Sequence, residues 1–224
     1  MRKSDRNIAV IGSSGHAKVV IDIIEREGKY RISGLIDSFR PAGETSFGYR
    51  IVGKEDSLRA LVSSDGVFGC IVAIGDNWQR HLMVERISAL VPQLEFVSSI
   101  HPSAQIARGV AIGRGTVIMA GTVVNSDCRI GEFCIVNTRA SIDHDSVMGE
   151  FSSLGPNATT GGDVRVGAFS AVALGASLIE KLSIGVHTIV GAGAVVLKDL
   201  PDHCVAHGVP ARVVRPRREG DRYI

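Results

Sequence analysis

The sequence has almost no excess of one charge. Its 25 Lys and Arg against 23 Asp and Glu leave a formal net charge of +2, so no global field draws it to nucleic acid or to an anionic membrane. No apolar run approaches the roughly 20 residues of a membrane-spanning helix. The start of the chain, largely polar ahead of Ile8–Ile11, lacks the long apolar core and small-residue cleavage site of a signal peptide. The expected location is therefore the cytoplasm. The four cysteines (Cys70, Cys128, Cys134 and Cys204) include no CxxC pair and no metal-ligand spacing, so neither a metal site nor a disulfide is expected. Basic residues crowd together only near the C-terminus, at Arg212, Arg215, Arg217, Arg218 and Arg222, and read as a solvated, partly disordered tail, with a phosphate contact as the alternative. What remains is ordinary: 224 residues, 45% hydrophobic and 21% charged, enough for one large domain or two small ones with real cores.

The second half carries an internal repeat. Stepping by six from Ile100 gives Ile106, Ile112, Ile118, Val124, Ile130, Val136, Ile142, Met148, Leu154, Thr160, Val166, Val172, Leu178, Ile184, Val190 and Val196. Sixteen of these seventeen positions are aliphatic or Met, where a 45% hydrophobic chain would place about eight. Two residues before each lies a mostly small residue, among them Cys128, Cys134, Ala140, Ser146, Ser152 and Ala158, so those two cysteines read as compact interior fillers. A period of six is neither the helical period nor a plain strand alternation. It describes a short strand, a corner, and a repeat, with three such sides closing an 18-residue coil. Stacking at about 4.8 Å per coil would make a prism about 27 Å tall. Glycine follows the aliphatic residue at Gly113, Gly131, Gly149, Gly155, Gly167, Gly185 and Gly191, read as corners that need an unusual φ.

The first half alternates strands and helices. Strands are expected at 7–12, 32–37 and 67–74, and helices from about 16 to 26 (with Val19, Val20, Ile23 and Ile24 on one face), over 55–62 and over 77–90. That order predicts a small parallel sheet. Gly12-Ser13-Ser14-Gly15-His16 lies between the first strand and the first helix, where amide groups and the helix dipole favour an anion. It is not the G-x-G-x-x-G fingerprint, which argues against NAD. Asp37, ending the second strand, could accept hydrogen bonds from a ribose or a base. A plain structural turn is the alternative.

Among the histidines of the repeat (His101, His144 and His187), only His144 has an adjacent acid, in Ser141-Ile142-Asp143-His144-Asp145-Ser146. Two residues past Ile142, it should point outward at a corner. A carboxylate beside an imidazole raises its pKa, which suits a proton acceptor near neutral pH. An exposed polar corner residue is the plain alternative. His101 and His187 read as structural or surface residues, and His16 as either a helix-start packing residue or a ligand contact.

The hexapeptide register from Ile100 to Val196 resembles that of the hexapeptide-repeat acyltransferases, and the resemblance covers Ile100 to about Pro216. Lys198-Asp199-Leu200-Pro201-Asp202 with Gly208-Val209-Pro210-Ala211-Arg212 resembles the exit segment of members that use acetyl-CoA. With the Ser14-Gly15-His16 turn ahead of it, the whole chain resembles the bacterial nucleotide-sugar N-acetyltransferases, including the bacillosamine and perosamine enzymes and their sialic acid O-acetyltransferase relatives. The resemblance implies a Rossmann-like α/β domain over 1–98 that holds the nucleotide-sugar and a left-handed β-helix over 99–224 that transfers acetyl from acetyl-CoA. It implies His144 as general base with Asp145 as its partner and Asn137 as a possible helper. Ser14, Gly15, His16, Asp37, Ser38 and Gly75 would contact the acceptor, while Ser153, Gly162, Leu174 and Ala192 would contact the coenzyme. Two positions depart from the family pattern. Ser153 stands where relatives carry a second histidine, and Ala192 replaces a more usual glycine. The family is usually trimeric, so a homotrimer is expected. O-acetylation of a sugar hydroxyl would need the same base and coenzyme. A non-catalytic binding solenoid is the rival of another class, and a zinc-dependent solenoid carbonic anhydrase would need closely spaced histidines that this chain lacks.

Overall fold

The computed structural model of the chain describes residues 6–222. They cluster into two units, the first running to Gly75 with Gln79–Pro102 and the second comprising Asp76–Trp78 with the residues from Ser103 onward.

The first unit contains β1 (Asn7–Ile11), α1 (Gly15–Glu27), β2 (Arg31–Ile36), β3 (Thr45–Ser46), β4 (Tyr49–Gly53), α2 (Leu58–Ser64), β5 (Gly69–Val72), α3 (Asn77–Leu90, in this unit from Gln79) and β6 (Glu95–Phe96). The sheet order is β3-β4-β2-β1-β5-β6. It is parallel throughout except for the β3–β4 hairpin, which the sequence did not announce. A parallel strand buried on both faces needs a continuous apolar run rather than an alternating one, and Ile8, Ala9, Val10 and Ile11 are all buried. Helix α1 closes one side with Ala17, Val20, Ile21, Ile23 and Ile24. Val19, expected on that face, is 41% exposed; Ala17 and Ile21, one turn apart, continue the stripe instead. The chain leaves β1 for β2 on one side and meets β5 on the other. Strand order therefore reverses at β1, which opens a crevice beyond its carboxyl end.

The second unit is the solenoid. Two-residue strands such as Val123–Val124, Arg129–Ile130 and Ile135–Val136 pair in parallel with the strands that begin 18 residues later, as in Val124↔Ile142, Ile130↔Met148 and Val136↔Leu154. The aliphatic register from Ile118 to Val196 points inward and is buried, Thr160 included. The small register is buried beside it and does more than fill space. Cys128 Sγ donates to Asp143 O at 3.0 Å and Cys134 Sγ to Gly149 O at 3.1 Å. Ser170 Oγ donates to Gly185 O at 2.6 Å. These side chains help satisfy the corner carbonyls, Gly149 O being shared with the Ser152 N–H at 3.3 Å and Ser152 Oγ at 2.6 Å. All four cysteines are free and buried.

The glycines serve a different purpose from the one expected. Those that follow the aliphatic residue lie outside the left-handed region, and the positive φ falls two residues further on, at Asp127, Phe133, Arg139, Asp145, Phe151, Asn157, Asp163, Phe169, Lys181 and His187. Glycine is needed after the aliphatic residue because coils touch there: a Cβ at Gly131 would lie 2.8 Å from the backbone nitrogen of Glu150. On one corner the left-handed residues stack as a column. Phe133, Phe151, Phe169, His187 and His203 have successive ring centroids 4.8, 5.3, 4.6 and 5.1 Å apart, contacts worth about 0.5–1.5 kcal/mol each against backbone strain of similar size. His187 is thus structural.

The basic C-terminus is ordered rather than a loose tail. Cys204–Gly208 and Ala211–Pro216 form an antiparallel hairpin. Arg217 is buried and donates to His187 O at 3.1 Å and Asp221 O at 2.8 Å, while Arg212, Arg215, Arg218 and Arg222 are exposed.

Candidate active site

Beyond β1 the chain turns at Gly12, whose φ is +110° and where a Cβ would lie 2.9 Å from Ala73 O; only glycine fits both conditions. Ser13, buried, donates through Oγ to Asp37 Oδ2 at 2.5 Å. Asp37 Oδ1 accepts the N–H groups of Phe39 at 2.9 Å and Arg40 at 3.1 Å. Burial pushes the Asp37 carboxyl up, but the bonds from Ser13, Phe39 and Arg40, with the Arg40 charge, outweigh it and hold the group below the usual range. Asp37 is therefore occupied in shaping its own loop. Ser38 donates to the buried carboxylate of Glu55. Ser14 caps α1 with extended backbone and makes no side-chain capping bond, and both it and Gly15 are exposed. The first turn of α1 holds no acid, so its amide end is electrostatically open to an anion.

His16 and Gly75 lie together: a Cβ at Gly75 would lie 3.9 Å from the His16 ring. The His16 Nε2 atom is buried with no hydrogen-bond partner. Burial first, and the Arg80 charge second, push its pKa down to about 4, so the ring is neutral. Arg80 is itself buried and donates to Ile74 O at 3.0 Å and Gly75 O at 3.1 Å, fixing the turn after β5. Sequence reasoning passed over Ser13 and Arg80. Their side chains act on partners 24 residues away and on backbone carbonyls, which leave no local motif.

In the solenoid, His144 stands on a corner with its side chain 60% exposed and Nδ1 2.7 Å from Asp145 Oδ2. Asp145 occupies the left-handed region at φ 61°, a conformation that aspartate tolerates. The hydrogen bond to Asp145, then the charges of Asp143, Asp145 and Asp163, raise the imidazole pKa above its ordinary value against a small burial effect. With Nδ1–H donated to Asp145, Nε2 carries the lone pair and is the atom free to accept a proton. Gly162 lies one coil on, and a Cβ there would sit 2.6 Å from His144 Cε1 and Nε2. Its first task is clearance for the imidazole. Asn137 Oδ1 accepts the Thr138 N–H at 2.8 Å, a local turn. Ser153 Oγ accepts from Asn77 Nδ2 at 3.3 Å, and the same Asn77 nitrogen donates to Ser170 O at 3.1 Å. Leu174, 56% exposed, and exposed Ala192 occupy equivalent positions in successive coils on another corner. The solenoid thus groups Gly162 with His144 and Leu174 with Ala192. Among the described residues no group of three or more His, Cys, Asp or Glu is placed to hold a metal ion, and no helix is long and apolar enough to cross a membrane.

Residues 7–87 match the family described as the PglD N-terminal domain. A stretch of 112 residues is 37% identical to UDP-N-acetylbacillosamine N-acetyltransferase from Bacillus subtilis, covering 48% of this chain and 49% of that protein, so the match spans about half the length of this curated relative. Solved structures match along nearly the whole chain. A variant of GDP-perosamine N-acetyltransferase from Caulobacter crescentus, in complex with CoA and GDP-perosamine, superposes with a TM-score of 0.88 at 36% identity, over 93% of this chain and 97% of that one. The acetyltransferase domain of PglB from Neisseria gonorrhoeae, in complex with acetyl coenzyme A, gives 0.84 at 32% identity, over 94% and 100%.

Proposed function

This chain belongs to the nucleotide-sugar N-acetyltransferase family, and from that premise we propose that it moves acetyl from acetyl-CoA to the amino group of a nucleotide-linked amino sugar, a 4-amino-deoxy sugar, in the cytoplasm and as a homotrimer. The observation that carries the reading is the outward-facing His144, its Nδ1 held by Asp145 at 2.7 Å and its ring cleared by Gly162.

The reaction requires a nitrogen lone pair to attack the thioester carbonyl, and a protonated amine has none. His144 Nε2 takes the proton from nitrogen as the N–C bond forms, and the imidazolium is stabilised by Asp145. Collapse of the tetrahedral adduct breaks the C–S bond, and the proton leaves on the coenzyme sulfur. A raised pKa strengthens the base toward an ammonium, at the cost of protonation as the pH falls. We assign residues 1–98 to the acceptor. There the open amide end of α1 at Ser14 and Gly15 suits a diphosphate, and the neutral His16 beside Gly75 suits a sugar or base contact, with Asp37 and Ser38 shaping the adjoining wall. We assign residues 99–224 to coenzyme binding and transfer, with Ser153, Gly162, Leu174 and Ala192 as coenzyme contacts and Asn137 as a helper on the acceptor side. At Ser153 a hydroxyl supplies the donor that a histidine provides in relatives.

The test is turnover of acetyl-CoA with 4-amino-deoxy sugars linked to UDP, GDP or dTDP. One of them is expected to yield a product heavier by one acetyl group that withstands hydroxylamine, as an amide does. A hydroxylamine-labile product would instead show an ester and transfer to a hydroxyl, and no turnover with any acceptor would overturn the reading.

A further inference from the structure

The seventeen-position aliphatic register is broken by a polar residue only at Thr160. Thr160 is buried, and a buried hydroxyl costs free energy unless it is hydrogen-bonded. Its Oγ1 accepts the backbone N–H of Asp143 at 3.2 Å. Elsewhere the equivalent N–H donates to the backbone carbonyl one coil on, as Asn125 N–H does to Ile142 O at 2.9 Å and Gly149 N–H to Val166 O at 2.7 Å; here the threonine hydroxyl is the acceptor instead. The break therefore lies directly beneath the residue that precedes the proposed base.

Asp143 is held from other directions too. Its Oδ1 accepts Asn125 Nδ2 at 2.7 Å, from one coil earlier, and the backbone N–H of His144 at 2.8 Å. Its carbonyl accepts Cys128 Sγ at 3.0 Å. Neighbouring coils thus pin both the main chain and the carboxylate of Asp143, and the carboxylate in turn pins the His144 amide. With the peptide ahead of His144 fixed, the ring has little freedom beyond its own side-chain rotations, and those are limited by Asp145 on Nδ1 and Gly162 beneath.

We infer that Asp143 is a positioning residue for His144, anchored by Asn125 and Thr160, which holds the imidazole in the orientation that proton transfer needs. This rests on the reading of His144 as general base. A misplacement of a reacting group by about 1 Å can cost 10²-fold in rate, so a short chain of hydrogen bonds on an exposed corner has a measurable task. The charged groups that act on the ring are Asp143, Asp145 and Asp163. The bonds from Asn125 and the His144 amide hold the Asp143 carboxyl below its usual range, so it is ionised wherever the histidine titrates.

The experiment compares Asp143→Ala, Asp143→Asn and Asn125→Ala with the unaltered enzyme by two readouts: steady-state kcat and KM across pH, and the NMR titration midpoint of the His144 ring in the ligand-free protein. Asp143→Ala is expected to lower kcat about tenfold or more with both KM values within about twofold, and to move the ring midpoint down. Asp143→Asn keeps the acceptor oxygen and loses the charge. It should restore kcat at neutral pH to within about threefold while the acid limb of the rate profile still moves to lower pH. Asn125→Ala lies at the surface, leaves the fold intact, and should lower kcat in the same direction by less. Wild-type kcat and ring midpoint in both alanine variants would overturn the inference, as would an Asp143→Asn enzyme no better than Asp143→Ala. The ring titration needs no substrate, so these failures are distinct from failure of the acyl-transfer reading, which undiminished turnover by His144→Ala would signal.

Discussion

His16 and His144 are the same side chain placed in opposite surroundings. The first is enclosed near Arg80 with its Nε2 unpartnered and its pKa pushed down to about 4; the second is exposed among three carboxylates with its pKa raised. Each has a consequence in pH. The folded His16 binds its proton less readily than the unfolded chain, whose value lies near the ordinary 6.5. Between pH 6.5 and about 4 the unfolded state therefore takes up a proton that the native state refuses, and stability declines as the pH falls through that window. His16→Gln should flatten this dependence: the loss of melting temperature between pH 7 and pH 5 should be smaller than in the unaltered protein. An equal loss would mean that His16 is already protonated in the folded state. At the same scale, legibility followed chain distance. His144 could be read because its acid is the next residue, whereas Asp143, anchored by Asn125 and Thr160 in neighbouring coils, required the 18-residue offset to be applied to polar residues as well as apolar ones. Ser13 with Asp37, and Arg80 with the turn after β5, have no such offset and emerged only in three dimensions.

Two kinds of glycine hold the solenoid, and they make separable predictions. At Gly131 the constraint is contact with the next coil, so Gly131→Ala should cost about 1–3 kcal/mol in denaturant melts, as overpacking does. At Gly193 the constraint is φ, +66°, with nothing within 4 Å of an added Cβ. Asn157 already holds φ 56° on the same corner two coils earlier, so Gly193→Asn should change stability by no more than about 0.5 kcal/mol. Equal costs at the two positions would contradict the division. The hexapeptide register was fully visible in the sequence because every sixth side chain is buried by the same geometry. The purpose of its glycines was not, because a tight approach between coils and an unusual φ leave the same letter. Val19 was misplaced for a related reason: in the run Val19-Val20-Ile21 the buried stripe is centred on Val20 and Ile21, and Val19 falls at its edge. The terminal hairpin was hidden by its charge, since exposed arginines on an edge strand look like a solvated tail.

At the scale of the whole molecule, an α/β unit with a crevice beyond β1 and a solenoid with a histidine–aspartate pair on an exposed corner match in order the parts that acetyl transfer to a nucleotide-linked sugar requires. Assembly is one further expectation. Sedimentation should give three times the 23.7 kDa chain mass, and a monomer at micromolar concentration would contradict the proposed homotrimer. Acetyl transfer as proposed depends most heavily on the imidazole at position 144. The measurement that tests it is the turnover of His144→Ala against the unaltered enzyme, with acetyl-CoA and the same nucleotide-linked amino sugar, in protein of unchanged melting temperature and assembly. The predicted result is a fall in kcat of about 10²–10⁴-fold; undiminished acetyl transfer would contradict the account.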